Sequence, residues 1–254
     1  MLDYDISAIC IQEHRFVHLG DEPDIVIRNL EGTALFTASA VRNSSGASIR
    51  GVGILIKSSL LPLLLSVKKL DERIVLATFK GNPKTAVLSC HAPHNCTPED
   101  DITVFYEKLS NAVQDIPSHS MLIIGGDMNA QIAQGFSLHK STNRNGRLLN
   151  AFVEQHNLII GNISFRKSAK KLWTHRSPKD TLSQIDYCIY RKRWRNSIKD
   201  CQAYSSSNPV GSDHRIVTIS KNLLNSNVES VTNTIPIQKV VDINIEIKTL
   251  SRGS

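Results

Sequence analysis

The stretch Met121-Leu-Ile-Ile-Gly-Gly-Asp-Met-Asn-Ala130 constrains this chain more than any other. An apolar run of four residues meets two glycines, and then an acid and an amide follow two positions apart. The run suits a buried parallel strand, although periodicity alone leaves a helical segment open. Gly125 and Gly126 favour the strand, because glycine breaks regular runs and lets backbones approach closely. In open α/β sheets, ligands collect just beyond the carboxyl ends of strands. Asp127 and Asn129 stand there, on the same side of an extended segment. The alternative is a plain strand-to-turn exit, where Asp and Asn are common. Only groups sent to this spot from elsewhere in the chain can decide between the two.

Asp5 to Ile11 reads as another strand, and it stops at Gln12-Glu13-His14-Arg15. A second polar cluster thus arrives at the end of a buried run. Further strands are expected at Ala34–Ser39, Gly51–Ile56, Arg73–Phe79 and Thr85–His91, the last two paired as a hairpin across Gly81-Asn-Pro83. A helix should start with Thr97 as N-cap and Pro98 in its first position. Its apolar face would hold positions 102, 105, 109, 112 and 113, and Pro117 closes it. Asn145-Gly-Arg-Leu-Leu opens a shorter helix with Leu148, Leu149, Phe152 and Val153 inward. Strands at Leu158–Ile160, Trp173–Thr174, Gln184–Tyr190, Asp200–Tyr204 and Ile216–Ile219 complete an α/β pattern. Asp186 interrupts the apolar face of one of them. Ser205–Gly211 reads as a loop, and Ser212-Asp213-His214 sits directly before the final strand. The domain is expected over 1–220. Beyond it the composition turns to Asn, Ser, Thr and scattered Ile and Val, so 221–254 is expected to be a linker or partly ordered tail.

The 254 residues, 41% hydrophobic and 21% charged, fit one α/β domain with a substantial core. No apolar run approaches the roughly 20 residues of a membrane helix, and Leu60–Val67 is broken by Pro62. The first residues lack a basic-then-apolar secretory pattern, so an intracellular, non-secreted protein is expected. The five cysteines, with no CxxC pair, read as free thiols in a reducing compartment. Net charge is +7, but residues 166–200 alone hold eleven Lys/Arg against three Asp, a local +8 that includes Trp173 and Trp194. A solvated face is the plain reading of such a run. A polyanion-binding surface is favoured here, because basic side chains interleaved with aromatics suit phosphates and base or sugar faces.

Four polar clusters, Glu13, Asp127/Asn129, Asp186 and Asp213/His214, fall at or within strand ends scattered along the chain. Phosphodiester hydrolysis needs such a set. A hard cation takes one or two carboxylates and neutralises the phosphate. A base must deprotonate water, and a histidine oriented by a carboxylate is the usual solution. An amide can hold transition-state oxygens.

The order Ile11-Gln12-Glu13, Gly126-Asp-Met-Asn129, Ile185-Asp-Tyr187 and Ser212-Asp-His214 resembles the endonuclease/exonuclease/phosphatase family, with its DNase I-like fold. Ile123-Ile-Gly-Gly-Asp-Met-Asn-Ala130, Asn143-Arg-Asn-Gly146, Leu172-Trp-Thr174 and Gln184-Ile-Asp-Tyr187 followed by Arg193-Trp194 are similar to the endonuclease domains of non-LTR retrotransposons and to domesticated relatives such as craniofacial development protein 2-like sequences. The resemblance spans roughly residues 3 to 222 and implies a four-layer α/β sandwich of two packed sheets flanked by helices. It implies Glu13 as the main Mg²⁺ ligand, with Mn²⁺ as the alternative ion, and Asp213 in support of the metal or water site. Asp127 would orient or deprotonate the attacking water, and Asn129 would contact the scissile phosphate. His214 would be base or phosphate contact, with Asp186 accepting its other ring proton. The choice of base between His214 and Asp127 stays open. Thr174 and Arg176 are expected at the substrate by motif position, whereas His91 and His175 read as ordinary surface or packed histidines. DNA is the implied substrate, with a nuclear location and a reverse transcriptase encoded downstream in the same element.

Two departures from the family pattern set further expectations. No strand carrying an Asn precedes Asp3, so the chain is expected to be truncated, to lack the first strand, to leave an exposed sheet edge and to have impaired activity. The family's Tyr-Ala-Pro stands here as His91-Ala-Pro93. The competing readings are an inositol-phosphate or phospholipid-headgroup phosphatase of the same fold, and a non-catalytic nucleic-acid-binding adaptor.

Overall fold

The computed structural model describes residues 6–204 and 212–221, together with the backbone of 245–249. In chain order the strands are β1 (Ala8–Gln12), β2 (Ile25–Leu30), β3 (Thr33–Ala38), β4 (Val41–Arg42), β5 (Ser48–Ile49), β6 (Val52–Lys57), β7 (Leu64–Asp71), β8 (Ile74–Phe79) and β9 (Thr85–His91). Helix α1 (Glu99–Asp115) precedes β10 (Met121–Asp127), and α2 (Arg144–Gln155) precedes β11 (Leu158–Ile160). Then follow β12 (His175–Arg176), β13 (Leu182–Ser183), β14 (Asp186–Arg191), β15 (Ile198–Ala203), β16 (Val217–Lys221) and β17 (Ile245–Thr249).

Strands β1, β9, β10 and β14 are buried along their whole length, as strands covered on both faces must be. They form the middle of two stacked sheets, ordered β15-β16-β17-β1-β6-β3-β2 and β11-β14-β10-β9-β8-β7. Alternate residues point to opposite faces, and this parity divides the core. Cys10, Ile54, Val75, Val87, Met121, Ile123, Cys188 and Val217 meet between the sheets. Leu88, Leu122, Ile124 and Ile189 face outward onto Phe105 and Leu109 of α1 and Leu149 and Phe152 of α2. The expected two-sheet α/β sandwich is therefore present. All five cysteines are free, and four are buried. No helix among the described residues is long and apolar enough to cross a membrane.

Several boundaries differ from the sequence reading. Residues 173–174 are not in a strand; β12 begins one residue later. The N-cap of α1 is Pro98 rather than Thr97, whose backbone N–H instead closes a turn on His94. The expected loop at 205–211 lies outside the described residues. The larger corrections concern the far end of the chain. Residues 245–249 are not tail but strand, paired in parallel with β1 and antiparallel with β16. The flank of β1, expected to be an open edge for want of a first strand, is covered.

One buried cation ties the helical layer to the six-stranded sheet. Arg191, at the end of β14, donates to the carbonyls of Val113, Ile116, Pro117 and Ser120. These groups close α1, where a helix leaves its last carbonyls unpaired and its dipole favours positive charge. Replacing it by leucine strands those acceptors. Arg191→Leu should lower unfolding free energy by about 3 kcal/mol, read as an earlier urea midpoint at unchanged slope. An unmoved midpoint would show that water satisfies the helix end instead.

Candidate active site

Asp127 is the last residue of β10, and its neighbours on the flanking strands are His91 of β9 and Asp186 of β14. Three functional groups thus stand side by side at one end of the six-stranded sheet. The glycine before them is required by packing. A Cβ on Gly126 would meet the Cys90 carbonyl oxygen at 1.9 Å. Beyond Asp127 the chain turns at once. Asn129 takes a φ of +47°, donates its N–H to Asp127 Oδ1 at 2.8 Å, and gives one amide hydrogen to the Ala92 carbonyl at 2.9 Å. The expected extended segment with Asp127 and Asn129 on one side is therefore corrected to a tight turn, in which the second amide hydrogen of Asn129 remains to be used.

His214 comes from the other sheet, just ahead of β16. Its Nδ1 lies 3.0 and 3.2 Å from the two oxygens of Asp186, and both side chains are buried. The expected His–carboxylate pair is thus formed. Ligand-type atoms of Asp127, Asp186 and His214 lie within 4.8 Å of one another. Burial works against charge on the His214 ring, but Asp186, through charge and hydrogen bond, together with Asp127 and Asp213, lifts the pKa to about 9. Burial, reinforced by Asp186, pushes the Asp127 carboxyl up to about 8, against the opposing pull of His214 and of the Asn129 N–H. At neutral pH the set therefore favours a protonated ring beside a carboxyl of raised proton affinity.

Glu13 follows β1 with a φ of +54°, and Arg15 repeats the left-handed conformation at +59°. Such backbone is held at a cost of roughly 1–3 kcal/mol per residue and concentrates at functional sites. Arg15 donates to Glu13 Oε2 at 2.8 Å, while Oε1 lies 3.9 Å from His91 Nε2. The same nitrogen is 3.9 Å from Asp127 Oδ2. Glu13 and Asp127 therefore approach from two sheets and meet across one imidazole. Glu13 Oε1 and His91 Nε2, at 3.9 Å, are near enough to share a small divalent cation that keeps most of its waters, whereas Glu13 belongs to neither of the two three-residue clusters of ligand-type atoms found among the described residues. Asp213, expected to support the metal or water site, stands on the His214 side of it. Among the described residues its carboxylate clusters with His175 and His214, 3.7 Å from His175 Nε2.

The two substrate contacts expected from motif position fare unequally. Thr174 is fully buried, and its hydroxyl oxygen accepts the N–H groups of Ile185 and Asp186 at 3.0 and 3.1 Å. It positions the start of β14 rather than facing substrate. Arg176 is exposed at the same end, paired with Asp180 at 2.7 Å and lying over Trp173. The basic run 166–200 is not one surface. Arg191, Arg193 and Trp194 bind carbonyls after α1. That is the far end of β14, roughly 17 Å from Asp186 at the rise of a strand. Only the part near Arg176 flanks the site.

Known proteins resemble this chain in sequence and in fold. The profile of the endonuclease-reverse transcriptase family matches residues 85–218. Craniofacial development protein 2 from Bos taurus and from Tragulus javanicus are each 28% identical over 177 residues, 66% of this chain. The chain spans about 30% of the length of these curated relatives. Among solved structures, the endonuclease domain of TRAS1, a telomere-specific non-LTR retrotransposon, superposes with a TM-score of 0.55 at 15% identity. That match covers 82% of this chain and 94% of the other, and it is a likeness of fold.

The role of Thr174 is testable without knowledge of the substrate. Thr174→Val keeps the shape and removes the acceptor of two buried N–H groups, so stability should fall by about 2 kcal/mol. Thr174→Ser should recover most of the loss in the same thermal melt. Equal melting of the valine variant and the parent would remove the positioning role.

Proposed function

The chain belongs to the endonuclease-reverse transcriptase family, within the endonuclease/exonuclease/phosphatase group, and from that footing we propose that it hydrolyses DNA phosphodiester bonds, nicking one strand with Mg²⁺, or Mn²⁺, as cofactor. The observation that carries this reading is the meeting of Asp127, Asp186 and His214 from separate segments within 4.8 Å, with Glu13 close by across His91. A bound divalent cation would neutralise the phosphate and stabilise the departing oxygen, and Glu13 is the residue that would hold it.

The chain's own groups divide the remaining work. Asp127, oriented by the Asn129 N–H, aligns the attacking water and accepts its proton when its own carboxyl is ionised, the form that a nearby bound cation would favour. His214, kept in its charged form by Asp186, donates to a non-bridging phosphate oxygen. Asn129 offers its second amide hydrogen to the same group. Arg176 meets the flanking backbone as a phosphate contact. A nuclear site of action and a reverse transcriptase encoded in the same element are corollaries of this reading.

Supercoiled plasmid incubated with the purified chain should become open-circular with Mg²⁺ and stay supercoiled with EDTA. Asp127→Ala and His214→Ala should each slow nicking at least about 100-fold. Nicking that survives both substitutions would sink the site assignment. DNA binding without cleavage would favour an adaptor, and phosphate release from inositol phosphates without nicking would favour a phosphatase.

A further inference from the structure

His91 is the best-buried polar side chain at the site that no hydrogen bond uses. It is only 2% exposed, and among the described residues neither Nδ1 nor Nε2 has a hydrogen-bond partner. Leaving a buried ring nitrogen unpaired is unfavourable, and an ion bound in use is one thing that relieves it. The orientation of this one is not incidental to the fold. The ring closes β9 beside Asp127 of β10, and Nε2 stands 3.9 Å from Glu13 Oε1 and 3.9 Å from Asp127 Oδ2.

We propose that His91 Nε2 is a direct ligand of the cation held at Glu13, which makes this a mixed nitrogen–oxygen site that prefers Mn²⁺ and later first-row cations to Mg²⁺. This rests on the reading of Glu13 as the cation-holding carboxylate. Donors that share a cation at about 2.1–2.2 Å lie roughly 3–4 Å apart, depending on the angle between them. The 3.9 Å separations fall in that range, so side-chain adjustment alone brings the atoms into place. Arg15 occupies Oε2 of Glu13 and leaves Oε1 on the His91 side. Binding through Nε2 fixes the ring tautomer with its proton on Nδ1 and satisfies the orphan that faces the two carboxylates. Mg²⁺ gains little from imidazole, because it is a hard ion that keeps oxygen and water ligands. Affinity for a nitrogen donor rises from Mn²⁺ through Co²⁺ and Ni²⁺.

The experiment uses the full chain with Mn²⁺ and Mg²⁺ alone. Mn²⁺ binding is followed by loss of the free-ion EPR signal, and Mg²⁺ affinity by competition. Spin-echo modulation of the bound Mn²⁺ should show a directly coordinated ¹⁴N in the unaltered protein. His91→Phe should abolish that modulation and weaken Mn²⁺ at least about tenfold, with Mg²⁺ affinity within about twofold. Absence of ¹⁴N modulation in the parent, which needs no variant to fold, would overturn the proposal. So would equal loss of Mn²⁺ and Mg²⁺ binding in a folded His91→Phe chain. The two readings fail separately. Modulation without DNA nicking leaves the ligand assignment standing and removes the nuclease. Nicking with Mg²⁺ and no modulation does the reverse.

Discussion

An ion pair buried between two sheets governs this molecule. Asp186 opens β14 of the six-stranded sheet, and His214 leads into β16 of the seven-stranded one. Burying both charges is expensive, and such a pair seldom gains net stability over an apolar replacement. Its retention among apolar layers is therefore better explained by what it does than by what it holds together. The surrounding structure absorbs the cost. Gln12 of β1 reaches across to Ser89 of β9 at 3.0 Å, and Ser89 returns a bond to the Ile11 carbonyl. These polar ties between the sheets also fall near the ends of β1 and β9, close to Glu13 and His91. The sandwich is apolar through its middle and polar at one end.

A site of this kind must be positioned by backbone, since its charged groups repel or neutralise one another if they drift. Thr174 pins the first N–H groups of β14. Met128 N–H bonds to the Ile185 carbonyl, tying the turn after β10 to the approach of β14. Asn143 caps α2 through Gly146 N–H at 2.7 Å and takes the Gln131 N–H at 3.0 Å, so one side chain fixes both the helix start and the loop after Asn129. Gly146 is confined in turn, because a Cβ there would meet the Gln131 carbonyl at 2.0 Å. The Asn-Arg-Asn-Gly segment is a positioning device with no reactive atom of its own.

Legibility in the sequence followed burial. β9 and β10 were readable because both faces are covered, which leaves uninterrupted apolar runs. The inward face of α1 was readable because one side packs and the other is wet. β2 and β7 were not, since they lie at sheet edges, where apolar residues such as Ile27, Leu30, Leu65 and Leu70 are left exposed and the inside–outside pattern is lost. β17 escaped for another reason. It is set by pairing with β1 and β16, remote in sequence, and nothing in its local composition announces that. The carboxylates of the site were legible as polar interruptions of apolar strands. The backbone role of Thr174 was not, because a hydroxyl that bonds two N–H groups looks like any strand threonine. For His91 a signal existed. Two seven-residue runs, 85–91 and 121–127, each end in a ligand-type side chain, and parallel pairing sets those ends together.

The same geometry limits how far net charge can serve as a guide to substrate. A local +8 reads as a single basic surface only while its residues are imagined on one face. The run brackets β14, so the residues before Asp186 and those from Arg191 onward start from opposite ends of that strand. Arg191 is consumed by the carbonyls that close α1, Lys167 by Asp200 at 2.5 Å, and Arg193 by the Ser118 carbonyl. What remains near the reacting end is a smaller set drawn from distant segments. Arg73 is bonded to the His91 carbonyl, Arg15 lies on Glu13, and Arg176 and Arg215 stack on Trp173. Each of these cations touches a residue at or beside the site, so a polyanion would gain there from contacts the fold has already oriented rather than from a diffuse field.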